Sequence, residues 1–211
     1  MSELGHHLVT LATIAIVYLA AVASPGPNFF LATQLALSGR RALGFRVALG
    51  IATGAAIWAT LAMIGIAALL AHASWAQTAI RVIASLYLAW FGIKLLMSAW
   101  RAGTGGARLA RLPETGAQAY RAGLATNMTN PKAAAFWTSI FGAMFPADAP
   151  LWMYPATVAI VVLICGGWYA GVAVLLSTER VQRGYDRVRR PIDAVLGVVL
   201  LALGAHLATS R

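Results

Sequence analysis

The stretch Ser24-Pro25-Gly26-Pro27-Asn28 interrupts an apolar run that extends from about Leu8 to about Ser38. Each proline lacks the backbone N–H that an α-helix needs, and its ring clashes with the preceding turn, so this stretch ends a helix. In a bilayer, the carbonyl groups freed by such a break find no hydrogen-bond donor in the lipid. The stretch therefore predicts a broken membrane helix whose break faces other protein or a water-filled cavity.

The composition is that of a protein whose surroundings are a lipid bilayer. Hydrophobic residues make up 60% of the 211-residue chain and charged residues 10%, whereas a soluble domain carries roughly 25% charged residues. A net charge of +10 would suggest nucleic acid in a soluble protein, but in a membrane protein basic residues collect in cytoplasmic loops. We therefore expect no nucleic-acid partner. Residues 1–7 lack a basic segment, so no signal peptide is expected.

Six segments reach the length of about 20 apolar residues that a membrane-spanning helix needs. The fourth contains Asn130-Pro131 and is expected to break there. Three spans precede the loop at 101–119 and three follow it, so the second half would enter the membrane in the opposite sense. The sequence therefore predicts an all-α integral membrane protein of one domain, with six transmembrane helices as two inverted three-helix repeats (1–100 and 120–211) and with helices one and four broken. The predicted spans are about 8–38, 44–71, 76–100, 120–145, 151–177 and 191–209.

The arginines predict the orientation of these spans. Three, four and five arginines follow the first, third and fifth spans, respectively, and only two lie on the opposite side. The positive-inside rule places the arginine-rich loops in the cytoplasm. Both termini are therefore expected outside the cytoplasm.

The first break has the chemistry to recognise both charged groups of an amino acid. A half-helix that begins near Pro27 or Asn28 would direct backbone N–H groups and a partial positive charge at a carboxylate. The carbonyls of Ala21 and Ala23, which the prolines free, could accept hydrogen bonds from an ammonium group. The alternative is a structural kink that binds no ligand. The candidate binding residues of this break are Ser24, Pro25, Gly26, Pro27 and Asn28.

The second break provides Asn127, Asn130, Pro131 and Lys132 as further candidate binding residues. Lys132 follows Arg121 by about eleven residues, or roughly 16 Å of helix, which places it near the middle of the bilayer. A lysine there costs about 2.5–3.5 kcal/mol on insertion scales and needs a partner or water. Lys132 is thus a candidate for binding a substrate carboxylate or for carrying a proton; the alternative is structural pairing with Asp193 or with carbonyl groups.

Two other charged residues fall near the predicted spans. Asp193 lies in the first turn of the sixth span, where it can cap the helix or carry a proton. Lys94 lies near the cytoplasmic face and is expected to snorkel. Because no cluster of histidines and carboxylates in the sequence suggests a metal site, neither a metal nor another cofactor is expected.

These motifs resemble those of a known family of transporters. Ser24–Asn28, Gly39-Arg40-Arg41-x-x-Gly44, Leu49-Gly50-x-x-x-Gly54 and Asn130-Pro131-Lys132 look like signatures of the lysine-exporter (LysE) superfamily, and Tyr87–Lys94 resembles its homoserine/threonine-efflux (RhtB) branch. The resemblance covers nearly the whole chain. It implies a multi-pass exporter of threonine, homoserine or other neutral or basic amino acids in the inner membrane, driven by proton antiport and assembled as a homodimer.

Other classes of membrane protein fit less well. A thiol redox carrier needs a cysteine pair, and the sequence has one cysteine, Cys165. An enzyme would need a nucleophile beside a base, but no histidine is expected at the depth of Ser24 or Ser139. A cation channel would favour carboxylates within the membrane, which are nearly absent. A channel or exporter for another class of solute, and a non-redox relative of the thiol carriers, stay open as alternatives.

Overall fold

Every element of regular secondary structure in the described parts of the chain is an α-helix. The helices are α1 (Glu3–Ala23), α2 (Pro27–Leu37), α3 (Arg41–His72), α4 (Ser74–Trp100), α5 (Gly116–Met128), α6 (Pro131–Met144) and α7 (Met153–Leu175). The described residues between 190 and 209 are also helical. The computed structural model describes residues 3–24, 26–72, 74–100, 112–146, 149–175, 190–191, 193–195, 197–202, 204–205 and 208–209.

The first predicted span consists of two helices separated by a break. α1 ends at Ala23, and α2 begins at Pro27 with the extended residue Gly26 as its N-cap. Proline suits the first helical position because its missing N–H would have no partner there. The prediction that a half-helix begins near Pro27 or Asn28 is therefore confirmed. Pro25 lies outside the described residues.

The fourth predicted span is divided in the same way. α5 ends at Met128 and α6 begins at Pro131, with Asn130 as its N-cap. The predicted second, third and fifth spans correspond to α3, α4 and α7, whose described ends differ from the predicted ends by a few residues. By length and composition, three helical stretches in the described chain can cross a membrane: Glu3–Ala23, Arg41–Gly65 and Met153–Leu175.

α3 lies at the centre of the packing, against both α5 and α7, while α4 packs against α6. The contact between α3 and α5 depends on glycine. A Cβ added at Gly50 of α3 would lie 2.8 Å from the Leu124 nitrogen, and one added at Gly123 of α5 would lie 3.1 Å from the Val47 Cα. The two backbones therefore approach closely because neither glycine carries a side chain.

Candidate functional site

Residues from both helix breaks line one cavity. It encloses about 40 Å³, which is room for about three water molecules. Of the predicted binding residues, Ser24, Gly26, Asn28, Asn127, Asn130 and Lys132 line this cavity, and Pro27 and Pro131 begin the helices α2 and α6 beside it.

Lys132 connects the two breaks. Its backbone N–H donates to the side-chain oxygen of Asn130, at 3.0 Å, within the first turn of α6. Its Nζ donates to the carbonyl of Ala21, at 3.0 Å, and to that of Ser24, at 3.2 Å. The Nζ also lies 5.2 Å from the centre of the Phe91 ring, within the range of a cation–π interaction.

In this structure the Lys132 ammonium donates to carbonyl groups of the first break, which are among the partners that the sequence suggests for it. The Ala21 carbonyl is an acceptor as expected, because Pro25 has no N–H to return to it. The Ser24 carbonyl is a further acceptor of the Lys132 ammonium.

Asp193 and Lys94 both act electrostatically on Lys132, and the interaction with Asp193 is the larger of the two. Asp193 is fully buried, so its carboxylate lies in surroundings where charge interactions are weakly screened. Lys94 is exposed, and its Nζ lies 4.9 Å from the centre of the Trp90 ring. The two lysines therefore differ in surroundings, as their positions in the sequence predict.

Two buried amide oxygens in the cavity wall have no hydrogen-bond donor within the described chain. The side chains of Asn28 and Asn127 are 7% and 3% exposed, and the Oδ1 of each lacks a partner. A buried acceptor left without a donor costs about 1–3 kcal/mol. Each of these two cavity-lining residues therefore carries an acceptor that has no donor among the described residues.

The position of Asn127 depends on a glycine of α3. A Cβ added at Gly54 would lie 3.0 Å from the Asn127 Oδ1 and 2.9 Å from its Cβ, so only glycine leaves room for this side chain. In the sequence, Gly54 belongs to a family motif that does not indicate a contact with Asn127. The two residues belong to predicted spans two and four, and local spacing does not bring them together.

Aromatic side chains that sequence analysis missed form the apolar wall of the cavity. The Tyr18 ring lies 4.5 Å from the Trp137 ring and 5.8 Å from the Phe136 ring. Cys165 lines the same cavity. Within uniformly apolar helices these residues do not stand out. Helical spacing from the break residues is the signal that would have found them, because Phe136 follows Lys132 by one turn.

Comparison with known proteins gives one consistent result. A family model described as LysE type translocator matches residues 19–211. The threonine efflux protein of Escherichia coli strain K12 is 32% identical over 206 residues, which cover 97% of this chain and 100% of that protein. The threonine efflux protein of Salmonella typhi is 33% identical over 210 residues, with the same coverage. An uncharacterized membrane protein of Escherichia coli strain K12, YahN, is 29% identical over 179 residues, or 84% of this chain and 79% of YahN. No solved structure matches the chain.

Proposed function

The chain belongs to the LysE type translocator family, and on that premise we propose that it exports a small zwitterionic amino acid of the threonine type across the inner membrane. Relatives named threonine efflux proteins, which match over nearly their whole length, support this substrate class. The observation that carries the proposal is the cavity between the two helix breaks, where carbonyl and amide acceptors lie opposite a lysine.

In this proposal each charged group of the substrate has its own partners. The ammonium donates to the carbonyls of Ala21 and Ser24, and a substrate hydroxyl or N–H satisfies the amide oxygens of Asn28 and Asn127. The carboxylate pairs with Lys132 and lies near the N-terminus of α2, whose partial positive charge favours an anion. Pro25, Gly26, Pro27, Asn130 and Pro131 hold the two breaks open, and the aromatic wall limits the size of the substrate side chain.

We propose an architecture of six transmembrane helices for this transport. α1 with α2 forms the first span and α5 with α6 forms the fourth, while α3, α4, α7 and the described helical residues between 190 and 209 belong to the others. Residues 1–100 and 120–211 are then inverted repeats joined by residues 101–119, with both termini outside the cytoplasm. The predicted loop ends earlier than expected, because α5 already begins at Gly116. A site at the interface of two such repeats can face either side of the membrane as one repeat rocks against the other. The family resemblance adds a homodimer.

Export against a gradient needs an energy source, for which we propose proton antiport. Lys132 and Asp193 are the candidates for coupling. A proton lost or gained at either one changes the charge that the other interacts with, and Lys132 is also a substrate ligand in this proposal. Proton exchange at this pair would therefore alter substrate binding directly.

Transport by the purified protein in liposomes tests the proposal. We expect uptake of radiolabelled L-threonine to saturate with concentration and to depend on an imposed pH gradient. Flux that neither saturates nor responds to the gradient would favour the channel alternative. A panel of labelled amino acids in the same liposomes would identify the preferred substrate, and no uptake of any of them would refute amino-acid export.

A further inference from the structure

We propose that Lys132 determines specificity by occupying the substrate's ammonium site and by leaving it only for a ligand that also carries a carboxylate. This inference rests on the proposed function and deepens it. It defines the ligand class as zwitterions, to the exclusion of simple amines and simple carboxylates. The acceptors involved are the carbonyls of Ala21 and Ser24.

The geometry sets up a competition between two identical chemical groups. The Lys132 Nζ donates to the carbonyls of Ala21 and Ser24 at 3.0 and 3.2 Å and faces the Phe91 ring. A primary ammonium has N–H donors and no acceptor, so the α-ammonium of an amino acid suits the same carbonyls for the same reason. Two cations cannot share them, because like charges repel strongly in a weakly polar interior.

Which ligands can bind depends on what the Lys132 ammonium interacts with after it is displaced. An amine without a carboxylate would take the carbonyls and place a second cation beside the Lys132 ammonium with no added negative charge, which is costly because like charges repel strongly in a weakly polar interior. A carboxylate without an amine would draw Lys132 away and leave the carbonyls of Ala21 and Ser24 without a donor. A zwitterion provides a donor for the carbonyls and an acceptor for the lysine at once. Only this exchange keeps every charge-assisted hydrogen bond.

Binding of two matched ligands to the purified full chain tests the inference. L-threonine has both charged groups, and 1-amino-2-propanol is the same molecule without the carboxylate. We expect the wild type to bind threonine at least about tenfold more tightly than 1-amino-2-propanol, because threonine makes one additional charge-assisted hydrogen bond. In Lys132→Met the ratio of the affinity for threonine to the affinity for the amine should fall at least about tenfold. The amine no longer displaces a lysine when it binds, and threonine loses the partner of its carboxylate. Lys94→Met, which removes an exposed lysine that also lies over an aromatic ring, should keep the wild-type ratio.

Each outcome of this titration has a defined meaning. A wild type that binds threonine and the amine equally, or a Lys132→Met protein that keeps the wild-type ratio, would overturn the inference while leaving amino-acid export intact. A wild type that binds no amino acid would overturn the proposed function and this inference with it. Lys132→Gln, which removes the charge but keeps a hydrogen-bonding side chain, provides the same comparison if the methionine variant does not fold.

Discussion

Replacing Asn130 with alanine should impair threonine transport far more than replacing Thr115, although both residues cap a helix. Asn130 accepts a hydrogen bond from the Lys132 N–H at 3.0 Å, at the start of α6. Thr115 accepts one from the Gln118 N–H at 3.3 Å, at the start of α5, and the Gln118 side chain accepts one from the Thr115 N–H in return. Asn130 is buried in the cavity wall, whereas Thr115 is exposed. Comparing Asn130→Ala with Thr115→Ala therefore separates the effect of losing a helix cap from the effect of disturbing the cavity.

The expected magnitudes follow from these contacts. Loss of an N-cap typically costs about 0.5–2 kcal/mol of stability, so both variants should be destabilised by similar amounts. Only Asn130→Ala also loosens the turn that carries Lys132, whose Nζ reaches Ala21 and Ser24 across the cavity. Weakening of one hydrogen bond to a charged group corresponds to about 1.5–3 kcal/mol, or about 10- to 150-fold in apparent substrate affinity.

Two measurements on each variant test this difference. Thermal unfolding followed by circular dichroism gives the stability cost, and the concentration dependence of threonine uptake into liposomes gives the apparent affinity. Asn130→Ser should recover most of the lost affinity, because serine caps helices about as well as asparagine. An Asn130→Ala protein with wild-type affinity, or a Thr115→Ala protein that is equally impaired, would refute a role of the α6 cap in positioning Lys132.

Three further predictions concern other parts of the molecule. Lys132→Ala should reduce the apparent affinity for threonine at least about tenfold, because it removes a charge-assisted contact, and Lys94→Ala should change it less than about twofold; similar mild effects in the uptake assay would contradict this ranking. Gly50→Leu should lower thermal stability by about 1–3 kcal/mol or more through overpacking, whereas Gly65→Leu should have little effect because a Cβ there meets nothing within 4 Å among the described residues. Cys165 lines the cavity, is fully buried and is the one cysteine in the sequence. A small methanethiosulfonate reagent therefore reaches it only when the cavity opens, and saturating threonine should change its labelling rate; equal rates with and without threonine would argue against binding there.

The ends of the half-helices could be predicted from the sequence because they follow from local covalent chemistry. Proline lacks an N–H wherever it occurs, so a helix that cannot continue through Pro27 or Pro131 can begin there. α2 and α6 begin at these two residues. A glycine such as Gly50 permits two helices to approach closely, but the sequence does not say which helix packs against it, and Gly65 has no such contact in the described chain.

The partner of Lys132 could not be predicted, because it depends on how distant helices pack. The lysine and the Ala21 carbonyl are 111 positions apart in the sequence, and three chemically reasonable partners were open: Asp193, a carbonyl group or the substrate. The aromatic wall was missed for a related reason. Tyr18 and Trp137 belong to helices that are apolar on every face, so hydrophobic periodicity does not mark the side that meets the cavity.

The helix break and Lys132 each satisfy a polar group that the other would leave without a hydrogen-bond partner. A carbonyl freed by proline is costly in a bilayer unless a donor reaches it, and a lysine there is costly unless an acceptor reaches it. The contacts of Lys132 with Ala21 and Ser24 satisfy both groups in this structure. In the exchange that we propose, a substrate ammonium makes the same hydrogen bonds and a substrate carboxylate gives the lysine a new partner, so the contacts formed replace those that are broken. A site of this kind can bind its substrate and still release it, which export demands.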